Sequence, residues 1–265
     1  MNLKISKSKI AILTTVVNFD LYRKTSSFFP GTIKRYVLDG RNRMYGLDSI
    51  VYMISKFKDL DIEWLIMADE DVIFYEPNEI YSIIENMNRN NITVCGVRDG
   101  GIIKHRNHNP HVINTFFSVL HLKEVLKIWN KKEMLNQQFV IPNEFEEDLD
   151  LPYAYDTNSL FEHYYCFYLW LRRKKKKFLF LNVKMKPDGI ANDVIFNNIT
   201  ILCHTWYARL YGKNKAQTDR IDKYLPESNS KYLEAPIVFK DRYYFIKWRL
   251  NFLKVKAIKL LKNHI

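Results

Sequence analysis

Residues Glu63–Phe74 read EWLIMADEDVIF, two apolar runs bracketing three acids, and this stretch decides the fold. Trp64 to Ala68 is too short for a helix of its own and suits a strand buried on both faces. Asp69, Glu70 and Asp71 then stand at its carboxyl end, where open α/β sheets bind their ligands. Acids after a strand often form only a solvated turn. Here Val72, Ile73 and Phe74 follow at once, and three carboxylates enclosed by apolar chain are costly unless paired or metal-bound. Asp69 and Asp71, one residue apart, suit Mg2+ or Mn2+, held directly or through water, with positions left on the ion for diphosphate oxygens.

Outward from this stretch, strand and helix signals alternate. Ile10 to Val17 (IAILTTVV) reads as a buried strand, and Arg35 to Leu38 as a second, stopped by the turn pair Asp39-Gly40. Asn18 to Gly31 is a loop or short helix. Leu47, Ile50, Val51, Ile54 and Phe57 recur at helical spacing, so Tyr45 to Lys58 is an amphipathic helix. Pro77 opens another, carrying Ile80, Ile83, Ile84 and Met87. Further strands are expected at Ile92–Val97, Asn114–His121, Phe178–Val183 and Ile199–Cys203. Helices are expected from Leu122 to about Lys131 and from Ser159 to Arg173, with loops at His105–His111 and Asn143–Pro152. The alternation predicts an α/β fold with a mixed, mainly parallel sheet flanked by helices. A composition shift after about Leu225 separates residues 1–225 from a basic, amphipathic helical extension at 226–265.

The 265 residues are 47% hydrophobic and 15% aromatic, which excludes a disordered chain. The net charge of +12 points to anionic partners: phosphorylated substrates, nucleic acid or an anionic membrane. Cys95, Cys166 and Cys203 lie singly in apolar runs, without the spacing of a zinc site or disulfide framework, and read as buried thiols in a reducing cytoplasm. No apolar run reaches the roughly 18 residues of a membrane span. Lysines before Ile10 imitate a signal peptide without its small-residue cleavage site.

The chain resembles the nucleotide-sugar-dependent glycosyltransferases of the GT-A fold, in particular bacterial capsular polysaccharide and lipopolysaccharide enzymes. The resemblance runs from about Lys9 to about Gly212. It rests on Thr14-Thr15 in the first strand, Val37-Leu38-Asp39-Gly40, Arg43-Met44-Tyr45-Gly46, the strand ending in Asp69-Glu70-Asp71, Asn114-Thr115-Phe116-Phe117 and His204-Thr205-Trp206. It implies a hexosyltransferase-type enzyme that takes a nucleotide-sugar donor, UDP-linked by expectation. Thr14 or Thr15 would contact the base or ribose, and Asp39 would accept hydrogen bonds from them, unless Asp39-Gly40 is a plain turn. Arg43 and Tyr45 would reach the diphosphate or donor sugar. Asp69 and Glu70 would face the donor; Asp69 and Asp71 would hold Mn2+ or Mg2+, joined by His204 if that residue is not simply a core histidine beside Trp206. Of the acids between Glu144 and Asp156, Asp156 is the candidate base and equally a helix cap; Glu146, Glu147 and Asp148 are alternatives. Inversion and retention both stay open. His105, His108 and His111 are expected in a loop, contacting the acceptor instead of zinc.

From Arg242 onward there are basic residues and no acid, with Ile246, Leu250, Leu253, Ala257 and Leu260 on one helical stripe and Phe245, Trp248, Phe252 and Val255 roughly opposite. Such a helix either packs wholly on the protein or meets an anionic membrane at the inner face of the cell membrane, where a polyprenyl-linked or glycan acceptor would be found. The lysine run after Arg172 suits a helix carboxyl end. The competing function is a basic nucleic-acid-binding protein or metal-dependent nuclease; no nucleic-acid motif is present, so no nucleic-acid partner is expected. A nucleotidyltransferase would want a glycine-rich loop after the first strand, and Asn18-Phe19-Asp20 is not one.

Overall fold

Alternation along the first strand explains how the sheet is covered on both sides. Ile10, Ile12 and Val16 enter one core cluster and Ala11 and Leu13 the other. Leu65 and Met67 likewise oppose Trp64, Ile66 and Ala68. With helices on both faces, these strands need no polar side and read as continuous apolar runs. The computed structural model describes residues 6–99, 102, 108–145, 149–227, 234–250 and 253. His105, Glu146, Glu147, Asp148, Phe252, Val255, Ala257 and Leu260 lie outside the described residues.

In chain order the elements are β1 (Ile10–Val16), α1 (Phe19–Thr25), β2 (Lys34–Asp39), α2 (Leu47–Phe57), β3 (Trp64–Ala68), β4 (Val72–Phe74), α3 (Glu79–Arg89), β5 (Ile92–Arg98) and β6 (Ile113–His121). They continue with α4 (Leu122–Ile128), α5 (Lys131–Leu135), α6 (Tyr165–Arg173), β7 (Lys177–Met185), β8 (Asn192–Phe196), β9 (Ile199–His204), α7 (Lys215–Asp222) and β10 (Ile237–Phe239). One sheet holds the strands in the order β10-β2-β1-β3-β6-β5-β7-β8-β9-β4. Following the pairings from strand to strand, all but β6, β8 and β4 run in one direction. This is the expected α/β architecture with a mixed sheet.

Three expectations are corrected. The helix expected from Ser159 begins at Tyr165. Before it, the Asp156 carboxylate accepts a hydrogen bond from the Asn158 amide, and the Ser159 amide donates to the Asp156 carbonyl, so a local turn competes with helix. The helix expected from Leu122 to about Lys131 divides, because Asn130 accepts from the Glu133 amide and caps α5 afresh. The tail is not helical throughout. β10 lies parallel to β2 at the sheet edge, and the Phe239 ring stacks on Tyr36 at 5.5 Å, so part of 226–265 belongs to the sheet. Residues 244–250 are helical.

Gly96 sits where the pairing of β5 with β6 shifts register. A Cβ there would stand 2.6 Å from Ile113 Cγ2 and 2.7 Å from the Phe117 carbonyl oxygen, so only glycine lets the strands approach this closely.

Candidate metal centre and cleft

The strand alternation that builds the core also aims the acids. Asp69 continues the Leu65–Met67 side of β3, and Thr15 the Leu13 side of β1; of these five residues all but Leu65 line one cleft of about 520 Å³. That size suits a substrate-binding site. β4 begins right after Asp71 and pairs antiparallel with β9, placing Val72 opposite His204. This register carries His204 to the acids across 133 residues of sequence (204 minus 71). Asp69, Asp71 and His204 each present one ligating atom within 4.8 Å of the others.

His204 Nε2 is 3.3 Å from Asp71 Oδ1. Its ring stacks on Phe116 at 4.1 Å and lies 4.4 Å from Trp206. Its buried Nδ1 has no hydrogen-bond partner among the described residues, so this is not a histidine satisfied within a core. The Thr205 amide and hydroxyl both donate to the Asp71 carbonyl, fixing the two segments together. Burial pushes the Asp69 carboxyl well above its ordinary range, and the neighbouring Asp71 and Glu70 push it further. Two carboxylates and an imidazole brought this close suit a divalent ion, whose charge would offset this cost.

Glu70 has a different task. Its Oε1 accepts from the backbone amides of Val17 and Asn18, both at 3.2 Å, and its carbonyl accepts from the Thr25 hydroxyl. Burial raises its pKa to about 7, with Asp71 adding to the effect and those amides opposing it. The middle acid thus ties the β1–α1 turn to the site, although it still lines the cleft.

The structure distributes the other sequence candidates unevenly. Thr15 and Tyr45 line the cleft, and Gly46 beside Tyr45 takes φ +58° to start α2 there. Thr14 points to the opposite face of β1, fully buried and outside the cleft lining. Asp39 is also outside it: Arg41 Nε and Nη2 donate to its two oxygens at 2.8 and 2.7 Å, and Lys240 Nζ is 3.5 Å away. Those contacts commit its carboxylate, which was expected to face base or ribose. Arg43 lies in an adjoining pocket with its guanidinium 4.6 Å over the Trp248 ring. Asp156 does not line the cleft, because the turn described above holds it and its amide donates to the His108 carbonyl. His108 and His111 also lie outside the cleft lining.

Several cleft residues had no role assigned from the sequence, although Asn114 and Trp206 stand in motifs that carry the resemblance. Glu162 lines both the cleft and the adjoining pocket, its carbonyl accepting from Gln138 Nε2 and from the Tyr165 amide. Asn114 and Tyr164 line the wall and both donate to buried Asp99, at 2.6 and 2.9 Å. After His204, Trp206 and Tyr207 adopt left-handed φ values of 60° and 64°. Such conformations cost on the order of 1–3 kcal/mol each and persist only where the surroundings enforce them. Arg220 does so by donating to the Thr205 and Trp206 carbonyls, and Asn18 by donating to those of Ala208 and Tyr211. The enforced turn delivers Arg209 to the cleft wall, its guanidinium 4.5 Å over the Tyr45 ring. Glu162, Tyr207 and Arg209 lie outside the regular α-helices and strands, where no periodicity betrays a position.

No protein-family model and no curated protein matches the chain. Among solved structures, it is similar to a glycosyltransferase involved in glycosylation of the major capsid of PBCV-1, at 16% identity over 81% of this chain and 97% of that one, with a TM-score of 0.45. It is similar to mouse xyloside xylosyltransferase 1 at 9% identity over 89% of this chain and 98% of the other, TM-score 0.38. It is also similar to a mannosyltransferase from Pyrobaculum calidifontis, solved with GDP-Man and Mn2+, at 6% identity over 45% of this chain and 46% of that one, TM-score 0.29.

Proposed function

We propose that this chain is a metal-dependent glycosyltransferase that moves a sugar from a nucleoside diphosphate sugar, UDP-linked by expectation, to a glycan or lipid-linked acceptor. One observation carries the reading: Asp69, Asp71 and His204 converge in a cleft at the carboxyl ends of parallel strands. These residues would hold Mn2+ or Mg2+. A divalent ion there supplies charge neutralisation for a departing diphosphate. Thr15 and Tyr45 bound the donor side of the cleft, and the Asp99-anchored Asn114 and Tyr164 form a rigid wall. Glu162, at the junction with the adjoining pocket, takes the proton of the acceptor hydroxyl as its oxygen attacks the anomeric carbon. The bond from that carbon to the diphosphate oxygen breaks, and the nucleoside diphosphate leaves.

A thermal-shift screen of UDP, GDP and CMP with and without Mn2+ tests the site, since ligands stabilise the native state by mass action. A metal-dependent shift names the nucleotide, and Asp71→Ala should abolish it; an unchanged shift removes Asp71 from the site. Glu162→Gln should keep nucleotide binding and lower turnover by about 10²–10⁴-fold.

The acceptor we assign to surface polysaccharide synthesis at the inner face of the cell membrane, following the sequence resemblance. Among the described residues no helix is long and apolar enough to cross a membrane. Phe245, Ile246, Leu250 and Leu253 are exposed beside Arg242, Lys247 and Arg249, which supports peripheral contact with anionic lipid. Vesicles of anionic and neutral lipid should differ in binding, and a chain ending at Lys240 should lose that difference.

A further inference from the structure

The pocket that adjoins the cleft is walled by stretches far apart in sequence, among them Arg43 to Asp48, which lead into α2, and Trp248 in the tail. It encloses about 350 Å³ and shares Tyr45, Gly46, Glu162 and Tyr164 with the cleft. The tail is fixed against it. The Phe239 ring lies 5.5 Å from Tyr36 and 5.9 Å from Phe57, Tyr244 packs on the core, and Asn42 Nδ2 donates to the Asp241 carbonyl at 3.4 Å. At about 3.6 residues per turn, Tyr244 and Trp248 share one side of the helical residues 244–250, and Ile246 and Leu250 the other. Burial follows the same division: Tyr244 and Trp248 are half-buried, whereas Ile246 and Leu250 are 54% and 62% exposed. Lys247, paired with Asp241 at 3.0 Å, and Arg249 border that outer stripe.

We propose that this pocket takes the sugar of the acceptor, and that the acceptor is anchored in an anionic bilayer on which the same short helix lies. The proposal rests on the donor reading above and deepens it by naming the acceptor. The lining fits a neutral sugar. Tyr45, Tyr164 and Trp248 offer aromatic surface to the C–H face of a sugar ring, while Arg43, Asp48 and Glu162 offer donors and acceptors to its hydroxyls. One guanidinium against two carboxylates leaves no positive excess, so the pocket does not select a phosphate. The cations lie instead on the outer side of the helix, beside Ile246 and Leu250. There apolar side chains enter the headgroup boundary, and lysine and arginine meet anionic lipid. A helix with its side chains is about 10–12 Å across, so a sugar in the pocket sits roughly that far from the lipid. An acceptor diffusing in water gains nothing from this arrangement; one tethered to lipid is delivered by it to Glu162.

Orientation is tested first. The native cysteines are buried, so a bimane label reports on Asp48→Cys at the pocket or on Glu85→Cys, exposed on α3 across the sheet. Phosphatidylglycerol vesicles carrying a headgroup nitroxide should quench the first several-fold more than the second. Kinetics then use a sugar donor of the nucleotide that the thermal-shift screen names. Hexose and N-acetylhexosamine glycosides are compared as methyl forms in solution and as hexadecyl forms in vesicles without nitroxide. The hexadecyl forms should show a KM about tenfold lower, and Ile246→Ser with Leu250→Ser should remove most of that advantage. Trp248→Ala should raise KM about tenfold for both forms, and Trp248→Phe less, which loss of membrane contact alone would not do. If the labels are quenched alike, if the two glycoside forms are used equally or neither is used, or if Trp248→Ala affects only the hexadecyl form, the proposal is wrong and the donor reading stands. If Mn2+ with UDP or GDP gives the wild type no thermal shift, the donor reading falls and this proposal with it.

Discussion

β2 and β3 flank β1 in the sheet; β2 ends in Asp39 and β3 runs straight into Asp69, and the two aspartates meet opposite fates. Asp39 is held by Arg41 through three hydrogen bonds, with Lys240 nearby, and the Arg41 guanidinium keeps its carboxyl below the usual range despite burial. Asp69 has acids for neighbours, and burial drives its carboxyl upward. One strand end is electrostatically finished within the chain; the other is left for something to complete it. A strand end with an acid is therefore not a site by itself. The deficit is what marks one.

The largest test of that contrast adds metal. At Mn2+ a hundredfold above its dissociation constant, the wild type should gain about 2.7 kcal/mol of stability. Asp69→Asn should lose most of this gain and Asp39→Asn should keep it, as read from urea midpoints with and without the ion. Equal retention in both variants would erase the distinction. Without metal the order reverses. Asp39→Asn should cost about 1 kcal/mol, the value of a charged hydrogen-bonded pair discounted for the half-exposed Arg41. Asp69→Asn should be neutral or stabilising, since it removes a repelled charge.

The smallest effect is in pH. A carboxyl whose folded pKa is depressed contributes stability that is present above its unfolded value and lost as pH falls through the folded one. The difference between wild type and Asp39→Asn should accordingly hold at pH 6 to 7, shrink below about pH 4, and vanish in stronger acid. A difference that persists unchanged at pH 2 would mean that packing, not charge, accounts for the Asp39 contribution.

Local pattern made part of this legible. β1, β3 and α2 could be read because apolar period and turn residues agree, and Asp69 and Asp71 stood out because apolar chain encloses them. β4 and β10, three residues each, are too short for any period to register, and β10 lies in a tail whose lysines and aromatics suggest only helix. The role of Glu70 depends on amides 52 and 53 residues away, and that of Asp39 on Arg41 folding back over it. Glu162 and Arg209 sit on irregular chain, where position is set by distant clamps such as Gln138, Asn18 and Arg220. The helix start expected at Ser159 shifts for a related reason: the Asp156 side chain makes a turn that competes with helix there.

The antiparallel seam between β4 and β9 has a consequence for biosynthesis. Two of the three candidate ligands emerge in the first third of the chain, and the third arrives only after β9 is made. An ion cannot be captured by this trio on a nascent or truncated chain, however well its early strands have formed. Metal uptake would therefore serve as a completion check, registering that the farthest edge of the sheet has closed.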